Sequence, residues 1–468
     1  MDYLGVGPEG QDHQVEVLGI QKPEDLFKHL PKSVLFPHFD LAPGLDEQGL
    51  HRFFDDLCEE PGVKMPVTPG KSFLGGGYYH HFIPSSVNAI TSDGSFSTAY
   101  TPYQAEASQG TLQALFEYQT YMAELLQMEV VNASHYDGAA ALAEAIRLAY
   151  FHAGGTTEQA QPGSGKELAK KRKVLVAGAL HPEYREVIKT YTDPLHMIVR
   201  YEDNYFDNPA AVTFDDDLCA VVSVSPDFYG RIHDLNGLAE KIHGAGALFI
   251  AHTDPLACTI IEPPGNVGAD IVTAEGQPLG IPVSFGGPYL GVFAVTKALI
   301  RRMPGRLCGE TKDSRGQRMY VLTLSTREQH IRREKAVSNI CTNQGLMALR
   351  SLAYMATMGT VGMSRAATHC IQKIDSFRKS VASIPGITVL SKGVLFRDCL
   401  LELPVDANEL CNALGKRGFE AGLPLGKYFP GRNKELLVSM TEVHRDSDIA
   451  DFLTALGQEI MLLKKEGK

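Results

Sequence analysis

The sequence predicts an α/β protein, with a large, mostly parallel sheet covered by helices on both faces and a smaller α+β unit after it. Two observations predict it. From residue 109 to 295, short and continuously apolar runs alternate with helical stretches, the pattern of strands buried on both faces. After Arg327 the alternation stops, and long helical stretches lead into strands and helices of mixed order. The expected organisation is an N-terminal arm over 1–70, a large α/β domain over 71–327, and a helical connection with a small C-terminal α+β domain over 328–468.

The arm is turn-rich, with short helices expected over 18–30 and 46–57. Residues 75–104 are rich in Gly, Tyr, Ser and Pro and include Gly75-Gly76-Gly77-Tyr78-Tyr79-His80-His81 and Tyr100-Thr101-Pro102-Tyr103-Gln104. A helix is expected to open here. Thr101 is placed to cap it, Pro102 suits its first turn, and Gln104 stands three residues on, as a capping box requires. Leu112, Leu115, Phe116, Met122, Leu125 and Leu126 then give the stripe of a helix with one buried face. Strands are expected at 129–132, 174–177, 197–201, 220–224, 247–251, 271–272 and 292–295. Helices are expected at 139–152, 182–190 and 238–243, and an exposed loop at 156–173. The C-terminal part reads as two helical stretches within 328–384, strands at 387–390 and 400–403, a helix at 407–417, a strand at 436–440 and a last helix at 446–465. No internal repeat is found.

The 468 residues carry 55 Asp plus Glu against 44 Lys plus Arg, a formal net charge of −11. That balance argues against nucleic acid or an anionic membrane as the main partner. No apolar stretch reaches the roughly 20 residues that span a bilayer. The opening Met1-Asp2-Tyr3-Leu4 lacks the pattern of a secretory signal. The eight cysteines are scattered, with no Cys-x-x-Cys pair, as buried thiols of a reducing compartment would be. A cytoplasmic protein is expected.

Several motifs fail. Gly163-Ser164-Gly165-Lys166 matches a phosphate loop only in part, since position 160 is Ala and 167 is Glu. No strand leads into Gly-x-Gly-x-x-Gly, and no Gly-x-Ser-x-Gly elbow occurs. His80-His81 lacks the His-x-x-x-His spacing of a helical metal site, so no metal is expected.

Other residues carry more. Asp254 stands just past an apolar strand, and ligands of open α/β sheets bind at strand carboxyl ends. In pyridoxal-phosphate (PLP) enzymes of the aminotransferase-like fold type I, such an Asp pairs with the pyridine nitrogen, and a lysine some residues later binds the cofactor. Here no lysine lies between Lys241 and Lys297, and Gln277-Pro278 stands about where it would be. The loop expected to receive the phosphate is Asn132-Ala133-Ser134-His135-Tyr136-Asp137-Gly138. If Asp137 caps the next helix, its carboxylate takes the positive end of the dipole and repels a phosphate. Asn132, Ser134, Tyr136, Asp137, Asp254 and Gln277 are therefore read as degenerate cofactor-site positions. Asp254 is either a relic of the pyridine partner or the cap of a turn. His233 and His252 are read as structural.

A PLP-type fold without its lysine narrows the field, and here the sequence resembles a family. The blocks Tyr100-Thr101-Pro102-Tyr103-Gln104, Gln109-Gly110-Thr111-Leu112-Gln113, Phe116-Glu117-Tyr118-Gln119-Thr120 and Tyr136-Asp137-Gly138-Ala139 are similar to those of glycine dehydrogenase (decarboxylating). So are Gly268-Ala269-Asp270-Ile271-Val272, Glu275-Gly276-Gln277-Pro278-Leu279-Gly280, Arg302-Met303-Pro304-Gly305-Arg306 and Ser338-Asn339-Ile340-Cys341-Thr342-Asn343. The resemblance is to the first-subunit, N-terminal-half branch of these P-proteins of the glycine cleavage system, and it runs from about 74 to 345. It departs in the N-terminal 20 residues, at His135 and Ala274, and within 225–230.

The resemblance implies a subunit without its own cofactor lysine, inactive alone, in an α2β2 complex whose second subunit binds PLP. The complex decarboxylates glycine and passes the aminomethyl group to the lipoyl arm of H-protein. It further implies that Tyr100, Thr101, Pro102, Tyr103 and Gln104 line the active site at the subunit interface. The alternative is that Thr101 and Gln104 only cap and Tyr103 only packs. The charge run from Arg327 to Lys335 is either a solvated helix face or a basic lip at an interface. An autonomous PLP enzyme and a scaffold that kept the fold but lost the chemistry stay open beside this reading.

Overall fold

The computed structural model describes residues 8–35, 41–59, 67–99, 102–160, 166–333, 336, 340, 343–465 and 467. Met1, Asp2, Tyr3, Leu4, Tyr100, Thr101, Gly163, Ser164, Gly165, Lys335, Ser338, Asn339, Cys341 and Thr342, all named above, lie outside the described residues. The chain forms two units, residues 1–66 and 67–468.

The first unit holds helices α1 (Pro8–Leu18) and α2 (Glu47–Glu59) and a 3₁₀ turn at Pro23–Phe27. None of its described residues is buried. The helix expected over 18–30 lies earlier in the chain. Gly19, at φ +63°, ends α1, with the Gly19 and Ile20 N–H groups donating back to Glu16 and Val15. Only the turn at Pro23 remains of the expected element.

In the second unit a short helix α3 (Ser85–Thr91) precedes α4 (Gln109–Leu126). There follow β1 (Val130–Val131), α5 (Gly138–His152), β2 (Lys173–Ala177), α6 (Pro182–Thr192) and β3 (Ile198–Glu202). Then come β4 (Leu218–Val224), α7 (Leu238–Gly244), β5 (Leu248–Thr253), β6 (Ile271–Glu275) and β7 (Gly291–Val295). The seven strands form one sheet in the order β1-β7-β6-β5-β4-β2-β3. Neighbours from β6 to β3 pair in parallel, and β7 alone runs antiparallel to both its neighbours.

Side chains alternate across this sheet, as the pleat requires. Val174, Val176, Val222, Ile250 and Ile271 join α5 in one core. Leu175, Ala177, Val221, Phe249 and Val272 join α4 in the other. Burial on both faces is why these strands read as unbroken apolar runs.

The helix α4 starts later than its capping-box pattern predicts. Residues 102–107 make turns instead, with the Ala107 and Ser108 N–H groups donating to Gln104 O. The Gln109 side chain explains the delay. Its Nε2 donates to Ala105 O and Tyr320 O, and its Oε1 accepts from Tyr320 N, which pins the turn to a neighbouring strand. That strand belongs to a hairpin that the sequence pattern does not predict, β8 (Cys308–Lys312) and β9 (Arg318–Leu322).

The region 328–384 also differs. A single turn at Gln329–Arg332 ends at Arg333, whose φ is +52°. The long helix α8 (Gly345–Val381) follows and is broken at Gly359, at φ +60° and ψ 178°. Beyond it lie β10 (Thr388–Val389), β11 (Asp398–Glu402), α9 (Ala407–Gly415), β12 (Leu423–Pro424), β13 (Glu435–Ser439) and α10 (Asp446–Lys465). These strands form a second, antiparallel sheet in the order β10-β11-β13-β12. Phe73, ahead of the large sheet in sequence, is fully buried in this second core and stacks on Phe452 at 4.0 Å. The entry strap around residues 72–82 therefore belongs to both halves of the unit.

Candidate functional site

The carboxyl ends of β5 and β6 face a cavity of about 90 Å³. Its walls include His181, Tyr184, His252, Asp254, Glu275 and Arg397. Each wall has a local reason. Asp254 directly follows β5, Glu275 is the last residue of β6, and Arg397 stands just before β11 of the second sheet.

Asp137 caps α5, its Oδ1 accepting from Ala140 N at 2.7 Å. A second carboxylate stands beside it. Glu275 Oε2 accepts from Gly138 N, the first N–H of α5, at 2.9 Å. Its Oε1 accepts from Gln277 N at 2.9 Å and Leu290 N at 3.2 Å. Gly138 permits this approach, since a Cβ there would lie 2.9 Å from Glu275 and 2.7 Å from the Tyr184 hydroxyl. Burial pushes the Glu275 carboxyl up to about 8, against the pull of its three N–H donors. A carboxyl raised in this way gives its full stability below about 4.5 and loses it as the pH climbs through about 8. The unfolding midpoint of the native chain should therefore decline relative to Glu275→Gln between about pH 4.5 and about pH 8. Thermal melts of both proteins in matched buffers check this, and a pH-independent gap would contradict it.

Gln277 is buried, and its amide closes a ring with the entry strap. Oε1 accepts from Tyr79 N at 3.0 Å, while Nε2 donates to Tyr79 O at 2.9 Å and Ile281 O at 2.8 Å. Asp254 both caps a turn and makes an ion pair. Its Oδ1 accepts from Leu256 N and Ala257 N at 2.9 and 3.0 Å, and its Oδ2 pairs with Arg397 Nη2. Arg397 is 3% exposed, lies 3.7 Å over the Tyr79 ring and donates from Nη1 to His81 Nε2 at 2.7 Å. Burial works to lower its pKa, but Asp254, Tyr79, Cys370 and Asp398 together outweigh it and hold it above the ordinary arginine value. The Tyr79 hydroxyl donates to Asp398 Oδ2 at 2.7 Å. His252 keeps a neutral ring, its pKa pushed down to about 4 by burial, and contacts Thr273 Oγ1 at 3.0 Å.

His81, Cys370 and Glu442 are metal-ligand types, with ligand atoms all within 4.8 Å of one another. Their hydrogen bonds oppose a metal. His81 Nε2 accepts from Arg397, so the ring proton sits on Nδ1, which donates to Glu442 Oε2 at 2.7 Å. The nitrogen facing the other two groups has no lone pair to offer.

The remaining sequence-predicted positions lie elsewhere. Asn132 and Ser134 are fully buried, Asn132 Nδ2 donating to Pro304 O and Ser134 Oγ accepting from Gln344 N. His135 is buried as well, and burial pushes its pKa down to about 3. Tyr136 is 37% exposed. Tyr103 forms a separate cluster, its hydroxyl bonded to Asn343 Oδ1 and its ring 4.5 Å under the Arg306 guanidinium. Arg306 in turn pairs with Glu328 at 3.1 Å. Pro102 is half-buried and Gln104 exposed. The structure thus gathers Asp137, Asp254 and Gln277 with Glu275, Tyr79, His81 and Arg397. Sequence patterns alone give the last four no role.

The pocket does not fit PLP. Two side-chain carboxyl groups already take up N–H groups at the helix N-terminus that a phosphate needs, Asp254 is saturated by two N–H groups and a guanidinium, and an amide stands where an amine is required.

The family model described as "Glycine cleavage system P-protein" matches residues 1–456. The "Probable glycine dehydrogenase (decarboxylating) subunit 1" of Thermomicrobium roseum is 41% identical over 451 residues, 94% of this chain and 96% of the relative. The protein of that name from Halalkalibacterium halodurans is 39% identical over 97% of this chain and 98% of the relative. A crystal structure of glycine decarboxylase (P-protein) in inhibitor-bound form superposes with a TM-score of 0.86 at 38% identity, covering 98% of this chain and all of that one. A Lactobacillus brevis glutamate decarboxylase, 15% identical, shares the fold with a TM-score of 0.63 over 92% of this chain and 96% of that one. The fold is that of the PLP-dependent transferases of fold type I, and the chain belongs to the glycine cleavage system P-protein family.

Proposed function

We propose that this chain is the cofactor-free subunit of a two-subunit glycine decarboxylase. The observation that carries the reading is the match over nearly the whole length to relatives named as subunit 1, in a chain whose own pocket is closed to PLP. The companion subunit contributes the lysine and the PLP, most simply in an α2β2 assembly. In that companion, PLP would supply the electron sink for the loss of CO2 from glycine. The aminomethyl carbon then joins one sulfur of the lipoyl disulfide of H-protein, and the other sulfur is reduced to a thiol.

This chain lends the segment from Tyr100 to Gln104 to the interface. Support comes from the fixing of Tyr103 between Asn343 and Arg306, which leaves the ring one orientation. The assembly works in the cytoplasm. No described helix is long and apolar enough to cross a membrane.

The test is exchange of labelled bicarbonate into the glycine carboxyl group. It uses this chain, a PLP-loaded companion and lipoylated H-protein, together and singly. Exchange should appear only with both subunits present. Full exchange by the companion alone would sink the reading.

A further inference from the structure

We propose that the vestigial pocket is now a structural joint, held by the chain's own side chains, among which Arg397 and Tyr79 staple the large sheet to the small one. Three contacts stand where a cofactor would make its own. Glu275 holds the N-terminus of α5 in place of a phosphate, at 2.9 Å from Gly138 N. Arg397 holds Asp254 in place of a ring cation. Gln277 holds the entry strap through Tyr79 in place of a lysine bond.

Each contact joins parts far apart in the chain. Asp254 follows β5 of the seven-stranded sheet, and Arg397 precedes β11 of the four-stranded sheet. Arg397 also reaches His81 of the strap, and His81 reaches Glu442, in the segment that follows β13. The row Asp254, Arg397, His81, Glu442 runs carboxylate, guanidinium, imidazole and carboxylate, all shielded from water, with side-chain exposures of 13, 4, 2 and 14%. In such surroundings loss of one partner strands a buried charge, whereas loss of both does not.

The proposal concerns the chain by itself. Its test contains no companion, glycine or H-protein, so its failure and that of the decarboxylase reading are separable. Thermal unfolding of the isolated full-length chain is followed with and without millimolar PLP. The midpoint should not move, and neither the native chain nor Gln277→Lys should take up the visible absorbance of lysine-bound PLP. Arg397→Met and Asp254→Asn should each lower the midpoint by about 5 °C. The double variant should recover at least half of the summed loss. In each single variant, amide exchange should rise together around 253–257 and 395–399. A PLP-dependent rise of several degrees, visible PLP in Gln277→Lys, or strictly additive losses in the double variant would each overturn the proposal. Should a single variant fail to fold, the double variant and the PLP titration of the native chain still decide it.

Discussion

Gly230→Ala should yield little or no folded protein. Gly230 sits at φ +82°, and a Cβ there would lie 2.1 Å from the Asp398 carbonyl oxygen and 3.0 Å from its nitrogen. Both obstacles are backbone, so no rotamer change relieves them. The segment cannot retreat either, because Gly230 O accepts from Phe396 N at 2.8 Å and Ile232 N donates to Val394 O at 2.9 Å. The left-handed backbone adds about 1–2 kcal/mol for any residue with a Cβ. With the collision, the total cost reaches about 5 kcal/mol, comparable with the whole stability of many domains. Soluble yield and the denaturant midpoint check this. Gly393→Ala is the control: its φ is +76° but nothing lies within 4 Å of its Cβ. It should lose only the backbone strain.

The second large effect concerns chemistry. Tyr103→Ala should cut exchange by the assembled two-subunit complex about 10- to 100-fold, the range in which small misplacements at an active site act. Gel filtration should still show the complex, and the unfolding midpoint of this chain should fall only modestly. Tyr103→Phe keeps the ring under Arg306 and loses only the hydroxyl bond to Asn343, so it should retain more activity than alanine. Unchanged exchange in Tyr103→Ala would reduce the residue to packing.

What could be read in advance follows from the range of each interaction. The sheet was legible because Val174-Leu175-Val176-Ala177 and its counterparts are buried on both faces and so carry no polar interruption. The hairpin β8–β9 was not, since β8 runs Cys-Gly-Glu-Thr-Lys and is half in water. Its turn was nonetheless written at Asp313 to Gly316, where Asp313 Oδ1 accepts from Arg315 N and Gln317 N. In the pocket, Asp137 was legible because a cap acts over three residues. Glu275 and Gly138 are 137 positions apart, Asp254 and Arg397 143, Gln277 and Tyr79 198. No local pattern announces such pairs. The missing lysine showed that the pocket had lost its chemistry, but not what had taken its place.

The break in α8 has a mechanical consequence. Beyond Gly359 the helix runs unbroken for about 33 Å at 1.5 Å per residue. Over that length it carries Met363, Ala366 and Cys370 in the core of the large sheet, then Ile374, Phe377 and Val381 in the core of the small one. One rod thus lies in both cores, like a beam set into two walls. Its weakest point is not at the junction between the walls but upstream at Gly359, where the backbone leaves the helical region and a Cβ would meet nothing. A load applied to the small sheet is therefore carried through the junction and released as bending at that single glycine.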